Sequence, residues 1–504
     1  MKKVGIIGAG ISGLATAKVF LRKGYEVTLI EKGSAIGGVW EPARSYLGVA
    51  TQTTRDEYAY SDFPMPEDYP LWPSGAQVQS YLVNYAIHFG ITRFIRFNTQ
   101  VVHLRYAHGN WLMEILDLKS KDTATLEFDF VAVCTGTFHK PYLPDFPGAQ
   151  SFIEAGGKIL HSSQVKNQSM LKGKSVAVVG FAKSATDIAT QAADLASSCT
   201  LLYRKAQWKV PRYFANKINL KYLLFSRFSE AFFDAPRKTT FQKILHSVGR
   251  PMVWGQWRAL EALLKMQFRL KKCNMVPEHK IEDQINCSLG VAPEGFYEKV
   301  LSGKIDARRT EISSLEGRSV ILQNGQVLTA DVLVCGTGFT QELPFLEDTY
   351  RKKIIAENGS YRLFRNILNP KVPQLGFVGF NSSLFSTLTS ELAAHWLVAY
   401  VSNTLKLPSA GEVEKDIEVM ERWRKTFRPS SSVFSATCVA PFNFKHMDDL
   451  MKDMGLPTRV NGSVAGFFKP INPKDYQKLL KHKNGCHPPA FSYRPKSKME
   501  AEHS

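Results

Sequence analysis

Two glycine-rich clusters and a few charged residues near them carry most of the chemistry that this sequence offers. Gly8, Gly10 and Gly13 follow the spacing G-x-G-x-x-G, with Ile11 and Ser12 inside the turn. That spacing lets the chain reverse after a strand, brings backbone against a pyrophosphate, and lets a helix pack closely on the strand. The helix start that follows offers free N–H groups and a positive dipole end to phosphates. Glu31 lies eighteen residues beyond Gly13, where a carboxylate accepts from a ribose hydroxyl. Gly37-Gly38-Val39-Trp40 adds backbone that can lie along a second part of the same ligand, and an indole that can cover a flat ring.

The second cluster is Gly180-Phe-Ala-Lys-Ser184-Ala185, in which Ala182 and Ala185 replace the second and third glycines. Each alanine adds only a methyl group, so a phosphate still fits, a little further from the backbone. Arg204 follows the next strand signal, with Lys205, Lys209 and Arg212 close behind. An acid at the Arg204 position suits a free ribose hydroxyl, whereas a cation suits a 2′-phosphate, so this turn reads as an NADPH site. That leaves the first turn for another dinucleotide. Two nucleotide turns without a metal motif or a cysteine pair point to FAD there, accepting hydride from NADPH.

The elements that must position these groups are strands and helices in alternation. Val4–Ile7, the helical run Leu14–Leu21 and the strand Glu26–Glu31 frame the first turn. Lys174–Val179, a helix over Thr186–Ala196 and the strand Cys199–Tyr203 frame the second. A third signal, Asp331-Val-Leu-Val-Cys-Gly-Thr-Gly338-Phe339, echoes Phe130-Val-Ala-Val-Cys-Thr-Gly136. The predicted fold class is α/β, with two Rossmann-like dinucleotide-binding domains, the second inserted in the first. The FAD domain is expected over 1–165 and again over 331–470, with the chain returning to it near Val332 to Phe339. The NADPH domain is expected over 166–330, interrupted by a mainly helical, basic insert at 209–290. Residues 471–504 read as a basic flexible tail.

Composition narrows the class. A chain of 504 residues exceeds one ordinary core, so two or more domains are expected. No apolar run approaches the twenty residues of a spanning helix, and the first strand begins too early for a signal peptide. The seven cysteines are scattered, which argues against metal fingers or a disulfide framework and fits a reducing, cytoplasmic setting. Net charge is +19 and concentrated: Tyr203–Lys280 holds seventeen Lys/Arg against four Asp/Glu. The ordinary reading is a solvated face with some phosphate ligands. The alternative is peripheral contact with an anionic membrane through 209–290, with Tyr222–Phe228 and Phe232-Phe233 entering the interface. No nucleic-acid recognition motif accompanies the charge.

With these motifs in hand, the sequence resembles the class B flavin-dependent monooxygenases, in particular the flavin-containing monooxygenase branch. The resemblance extends to about residue 470. It rests on Gly8–Gly13, Gly37–Trp40, Ser61-Asp-Phe-Pro64, Cys134–Pro144, His161-Ser162, Gly180–Ala185, Cys335–Phe339 and Glu391–Trp396. A further likeness, to plant members that N-hydroxylate pipecolate, lies in the form of the second turn and in Phe444–Leu456. The resemblance implies an NADPH- and O2-dependent enzyme of the N,N-dimethylaniline monooxygenase type. Its C4a-hydroperoxyflavin would oxygenate a nucleophilic nitrogen or sulfur of an amine, imino acid or thioether. It also implies cofactor contacts from Thr51, Gln52, Thr53, Gly136, Ser184, Ala185, Asp187 and Gly338. Gln52 stands where animal members carry an asparagine beside the flavin, and its amide offers the same donors and acceptor on a longer stem. Gln52 is therefore the candidate catalytic residue. Baeyer–Villiger relatives carry Arg and Asp near here, whereas this chain has Ala50 and Gln52, so ketone oxygenation is less expected.

The remaining ionisable residues read as structural. Asp62 is expected to cap or turn a loop, His139 to fix a linker, and His161 to be a satisfied buried histidine. Glu391 and His395, four apart on one helix face, lack a third ligand in register and read as a helix pair; no metal site is expected. The rival functions are an NADPH oxidase releasing H2O2 on the same fold, and a membrane-surface binding protein on a flavoprotein scaffold.

Overall fold

The fold is described from a computed structural model covering residues 2–285, 290–357, 359–381, 383–427, 442–459 and 464–481. Two five-stranded parallel sheets organise it. In the first, the order is Leu375–Phe377, Phe130–Val133, Lys3–Ile7, Glu26–Ile30, Ile95–Arg96. In the second, it is Asp306–Arg308, Ser198–Leu202, Ser175–Val179, Val332–Cys335, Lys158–His161. The strand that feeds each glycine turn is the central one. Both central strands are nearly continuous apolar runs, as strands covered on both faces must be. An antiparallel three-stranded unit precedes the neighbouring strand in each half: Thr99–Phe128 in the first and Ile312–Thr329 in the second.

The return to the first sheet differs from the expectation. Val332–Cys335 pairs with Val176–Val179 and with Lys158–His161, deep in the second sheet. The strand that rejoins the first sheet is Leu375–Phe377, beside Val131–Val133. Lys158–His161, placed by sequence in the first domain, is an edge strand of the second. Apolar runs such as Phe130–Cys134 and Val332–Cys335 are interchangeable in pattern, and only pairing partners decide the sheet. The two echoing segments instead serve as paired connectors. After their strands, Lys140–Pro141 and Phe339–Thr340 run antiparallel as a two-stranded ribbon between the domains.

The insert leaves and returns at one place, because Lys209–Val210 pairs with Gly290–Val291. Between them lie the helices Leu220–Leu224, Arg227–Glu230, Thr240–Leu245, Arg250–Gln267 and Ile281–Ile285. The chain beyond 470 is not wholly a flexible tail. Pro473–Lys481 is a helix whose Tyr476 is buried and bonded to Arg227 Nη2 at 3.1 Å. Tyr476, Leu479 and Leu480, at helical spacing inside a Lys-rich segment, give that helix a buried face. The rest of the expected tail, 482–504, lies outside the described residues.

Candidate FAD and NADPH cavity

A single cavity of about 3720 Å³ runs between the two sheets and the insert. A drug-sized ligand needs roughly 300–1,000 Å³, so this space exceeds one small-molecule site several-fold. Both glycine turns open into it. Gly8 and Gly180 adopt φ of +106° and +118°, a region that side chains disfavour, and so the chain turns sharply off each central strand. The helices that follow, Ile11–Arg22 and Lys183–Leu195, start at Gly10 and Ala182 with no side-chain cap and no acid in the first turn. Their N–H groups and dipole ends are left for anions.

The two turns close differently. A Cβ on Gly13 would lie 1.8 Å from the Gly8 carbonyl oxygen, so helix and strand meet only over glycine. At the second turn Ala185 occupies the equivalent place, and the space comes from the opposite side. A Cβ on Gly336 would lie 2.5 Å from Ala185 Cβ. Gly10 and Gly38 also face one another, a Cβ on Gly10 reaching Gly38 Cα at 3.4 Å.

Around the first turn, Glu31 lines the cavity while accepting from Ala9 N at 2.7 Å and Gly33 N at 2.6 Å. It thus braces the turn while facing the cavity. Trp40 is packed edge-on to Tyr58 and donates to the Tyr58 hydroxyl at 3.1 Å. Gln52 lines the cavity, and its Oε1 accepts from Val291 N at 3.1 Å, joining this loop to the base of the insert. Ile11, Ser12, Val39, Thr51, Gly136, Ser184, Arg204 and Gly338 also line it.

Four of the expected residues do not line the cavity. Gly13 and Ala185 act through packing, as above. Thr53 is buried and donates to Leu384 O at 3.1 Å. Asp187 is buried and accepts from the Tyr46 hydroxyl at 2.8 Å, a bond from the first domain to the second turn's helix. Burial, with Asp187 beside it, pushes the Tyr46 hydroxyl well above its usual range and keeps it a donor.

Among the buried polar atoms without a partner in the described residues, Thr51 Oγ1, Thr135 Oγ1 and Gln207 Oε1 belong to side chains that line the cavity. Native interiors rarely leave such groups unpaired, and these three are placed where a polar occupant of the cavity would meet them. The model of flavin-binding monooxygenase-like proteins matches residues 1–460.

The chain belongs to that family.

This monooxygenase is 30% identical to "Probable flavin-containing monooxygenase 1" of Arabidopsis thaliana, over 94% of this chain and 96% of that one. It is also 30% identical to human "Flavin-containing monooxygenase 1", over 85% of this chain and 78% of that protein. Among solved structures, an S-allyl-L-cysteine S-oxygenase from Allium sativum aligns with a TM-score of 0.63 at 20% identity, covering 90% and 88% of the two chains. An oxidised steroid monooxygenase bound to NADP aligns at 0.67 and 19%, covering 90% and 98%. These share the two-domain α/β fold. FAD and NADPH are the cofactors of this monooxygenase. The two uncapped helix starts, the facing glycines and the unpaired polar atoms fit them.

The other singled-out residues have plain roles, two of which differ from expectation. His139 Nε2 bonds Gly136 O at 2.7 Å, and its Nδ1 accepts from Glu342 N at 3.0 Å, tying the two connectors together. His161 bonds Gly338 O at 2.9 Å and Ser163 Oγ at 2.8 Å. Burial lowers the pKa of both histidines. Asp62 is not a simple turn residue. It pairs with Lys18 Nζ and Arg22 Nη1, both at 3.0 Å, and Lys18 reaches Glu391 at 2.7 Å. Burial opposes the Asp62 charge, yet Lys18 and Arg22 hold its carboxyl below the usual range. Glu391 therefore pairs across to the first helix, 373 residues away in the chain, and not along its own helix to His395. Sequence spacing cannot reveal a partner so distant. Among the described residues no group of acids, histidines or cysteines could hold a metal ion.

Proposed function

We propose that this monooxygenase oxygenates a nucleophilic nitrogen or sulfur of a small molecule, with N-hydroxylation of an amine or imino acid as the favoured reaction. The observation that carries the reading is the shared cavity: two dinucleotide turns and an aromatic-walled chamber open into one space. When bound, the flavin supplies the oxygen chemistry and the nicotinamide the hydride. The chain's part is to hold, orient and dry. Helix starts at Gly10 and Ala182 hold phosphates, Glu31 faces one ribose and Arg204 a 2′-phosphate. Gln52 offers its amide to the reacting rings, and Trp40 and Tyr58 wall off water.

The test is anaerobic reduction by NADPH followed by mixing with O2 in a stopped-flow spectrometer. A slow return of oxidised-flavin absorbance, prolonged by NADP+, with an oxygenated amine in the products supports the reading. Immediate return with stoichiometric H2O2 in the presence of amines and thioethers overturns it in favour of the oxidase. Failure of NADPH to reduce the flavin sinks the assignment of Gly180–Arg204.

A second reading, peripheral membrane contact, draws support from exposed apolar side chains of the insert. Tyr222, Leu223, Ile244, Met252 and Trp254 are exposed, among the basic residues counted above. The exposed set is smaller than the sequence suggests, since Phe225 and Phe232 are buried in the core. Among the described residues no helix is long and apolar enough to cross a membrane. Sedimentation with anionic vesicles tests it: binding that salt abolishes and Trp254→Ser weakens supports contact, and no sedimentation at low salt excludes it.

A further inference from the structure

The cavity has two chemically different ends. Near the glycine turns its lining includes Lys32, Arg44, Lys166, Lys183 and Arg204, the charge that dinucleotide phosphates require. Toward the insert, the lining contributed by 222–260 and 379–468 is aromatic, aliphatic and small-polar. Within those ranges Glu230 is the one charged lining residue among the described residues; Asp283, later in the insert, lines the cavity as well.

Glu230 ends the helix Arg227–Glu230 and is only 6% exposed. Its oxygens accept from Phe444 N and Lys445 N, each at 2.7 Å, at the start of the helix Asn443–Asp453. Those two bonds fix the carboxylate and use about half of its acceptor positions. The guanidinium one turn before it does not neutralise it. Arg227 is committed to Asp448 at 2.6 and 2.9 Å, to Thr458 O at 2.8 Å and to Tyr476. A buried carboxylate without a paired cation is unfavourable in its charged form. Burial accordingly pushes this carboxyl up to about 8.

Aromatic rings surround the acid and lead back to the flavin end. Phe444, which donates to Glu230, lies 5.2 Å from Phe385 between ring centres, and Phe385 lies 5.0 Å from Phe225. The next residue, Ser386, donates to the Tyr58 hydroxyl at 3.1 Å, the same hydroxyl that accepts from Trp40. A carboxylate within an aromatic wall is an environment for a small organic cation.

We propose that Glu230 and the rings around it form the substrate end of the cavity and select amines that are cationic in water, with the substrate N–H donating to the Glu230 carboxylate. The inference rests on the reading of the protein as a nitrogen or sulfur oxygenase and narrows it to nitrogen. A thioether of equal shape carries no charge or N–H and gains nothing from the acid. The same contact frees the nucleophile. As the ammonium N–H bond breaks, the proton passes to a Glu230 oxygen and the nitrogen keeps the electron pair. A carboxyl whose surroundings favour its neutral form is suited to hold that proton.

The test uses the flavin-loaded enzyme and two rings of matched shape, piperidine and tetrahydrothiopyran. The expected result is that Glu230→Gln raises KM for piperidine by about tenfold or more. KM for the sulfur ring and the rate of flavin reduction by NADPH stay within about twofold. An equal change for both rings, or none for piperidine, overturns the inference and leaves the oxygenase reading standing. If the wild-type enzyme is reduced by NADPH but oxygenates neither ring, the oxygenase reading itself falls. A measurement on the wild type alone covers the case in which the variant does not fold. N,N-dimethylpiperidinium, which cannot be oxygenated, should inhibit turnover at about tenfold lower concentration than neutral tetrahydropyran. Equal inhibition by the two overturns the proposal.

Discussion

The turn Gly8–Gly13 and the turn Gly180–Ala185 deliver the same thing, an uncapped helix start at the end of a central parallel strand, from different residues. In the first, room for the helix comes from within the motif: Gly13 lies against the carbonyl of Gly8. In the second, Ala185 fills that place, and a residue 151 positions later, Gly336, gives way opposite it. The first is completed by an acid, Glu31, which also braces its own turn. The second is followed by a base, Arg204, at the cavity wall. A motif that departs from the ideal pattern is thus not a weakened site. The geometric demand has moved to another part of the chain, and the charge beside the turn is of opposite sign.

Four substitutions would break or sharpen this comparison. The largest effect is expected from Gly13→Ala, which must separate helix from strand at a cost of about 3 kcal/mol or more. The protein should purify nearly without flavin absorbance, and a normal flavin content with unchanged Tm would show that the first turn tolerates what the second does. Next is Gly336→Ala, whose Cβ overlaps Ala185 and should cost about 1–3 kcal/mol. Adding Ala185→Gly should recover part of the lost Tm; a double variant no more stable than the single one would detach Gly336 from the turn. Arg204→Ala should leave flavin content unchanged and raise KM for NADPH by about tenfold, with little change for NADH. Equal loss for both nucleotides would argue that Arg204 shapes the domain instead of reading the 2′-phosphate. The smallest is Tyr46→Phe, which deletes the bond to Asp187 and should cost about 1 kcal/mol in chemical denaturation. No change would mean that this bond contributes nothing to holding the second turn's helix against the first domain.

Much of the cofactor end was legible in the residues themselves. Both turns, their strands and helices, Glu31 and Arg204 stand close together in sequence, and local spacing suffices where a ligand is bound by one βαβ unit. What was misread has a common cause. The strand Val332–Cys335 was given to the wrong sheet because its pattern matches Phe130–Val133. Asp62 reads as a turn residue from sequence because its partners Lys18 and Arg22 lie 44 and 40 residues away. Phe225 and Phe232, which the alternative of membrane contact would place outward, are buried; aromatic residues beside lysines look alike in sequence whether they point inward or outward. Glu230 passed unnoticed as one of four acids among seventeen bases; its signal was that rarity, with Phe228, Phe232 and Phe233 on either side.

The sequence by itself determined the two glycine turns with their flanking strands and helices, and the redox class of the protein. Glycine spacing, helix starts and charge sign act over a few residues, so they need no tertiary context to be read. Only the tertiary structure decided which strands share a sheet, how the two connectors pair, and what lies opposite Ala185. It also decided that the buried carboxylate of Glu230, from the basic insert, faces the space into which both turns open. Those facts depend on groups hundreds of residues apart meeting within a few ångströms. Hydrophobic burial brings them together without leaving a periodic mark on the chain.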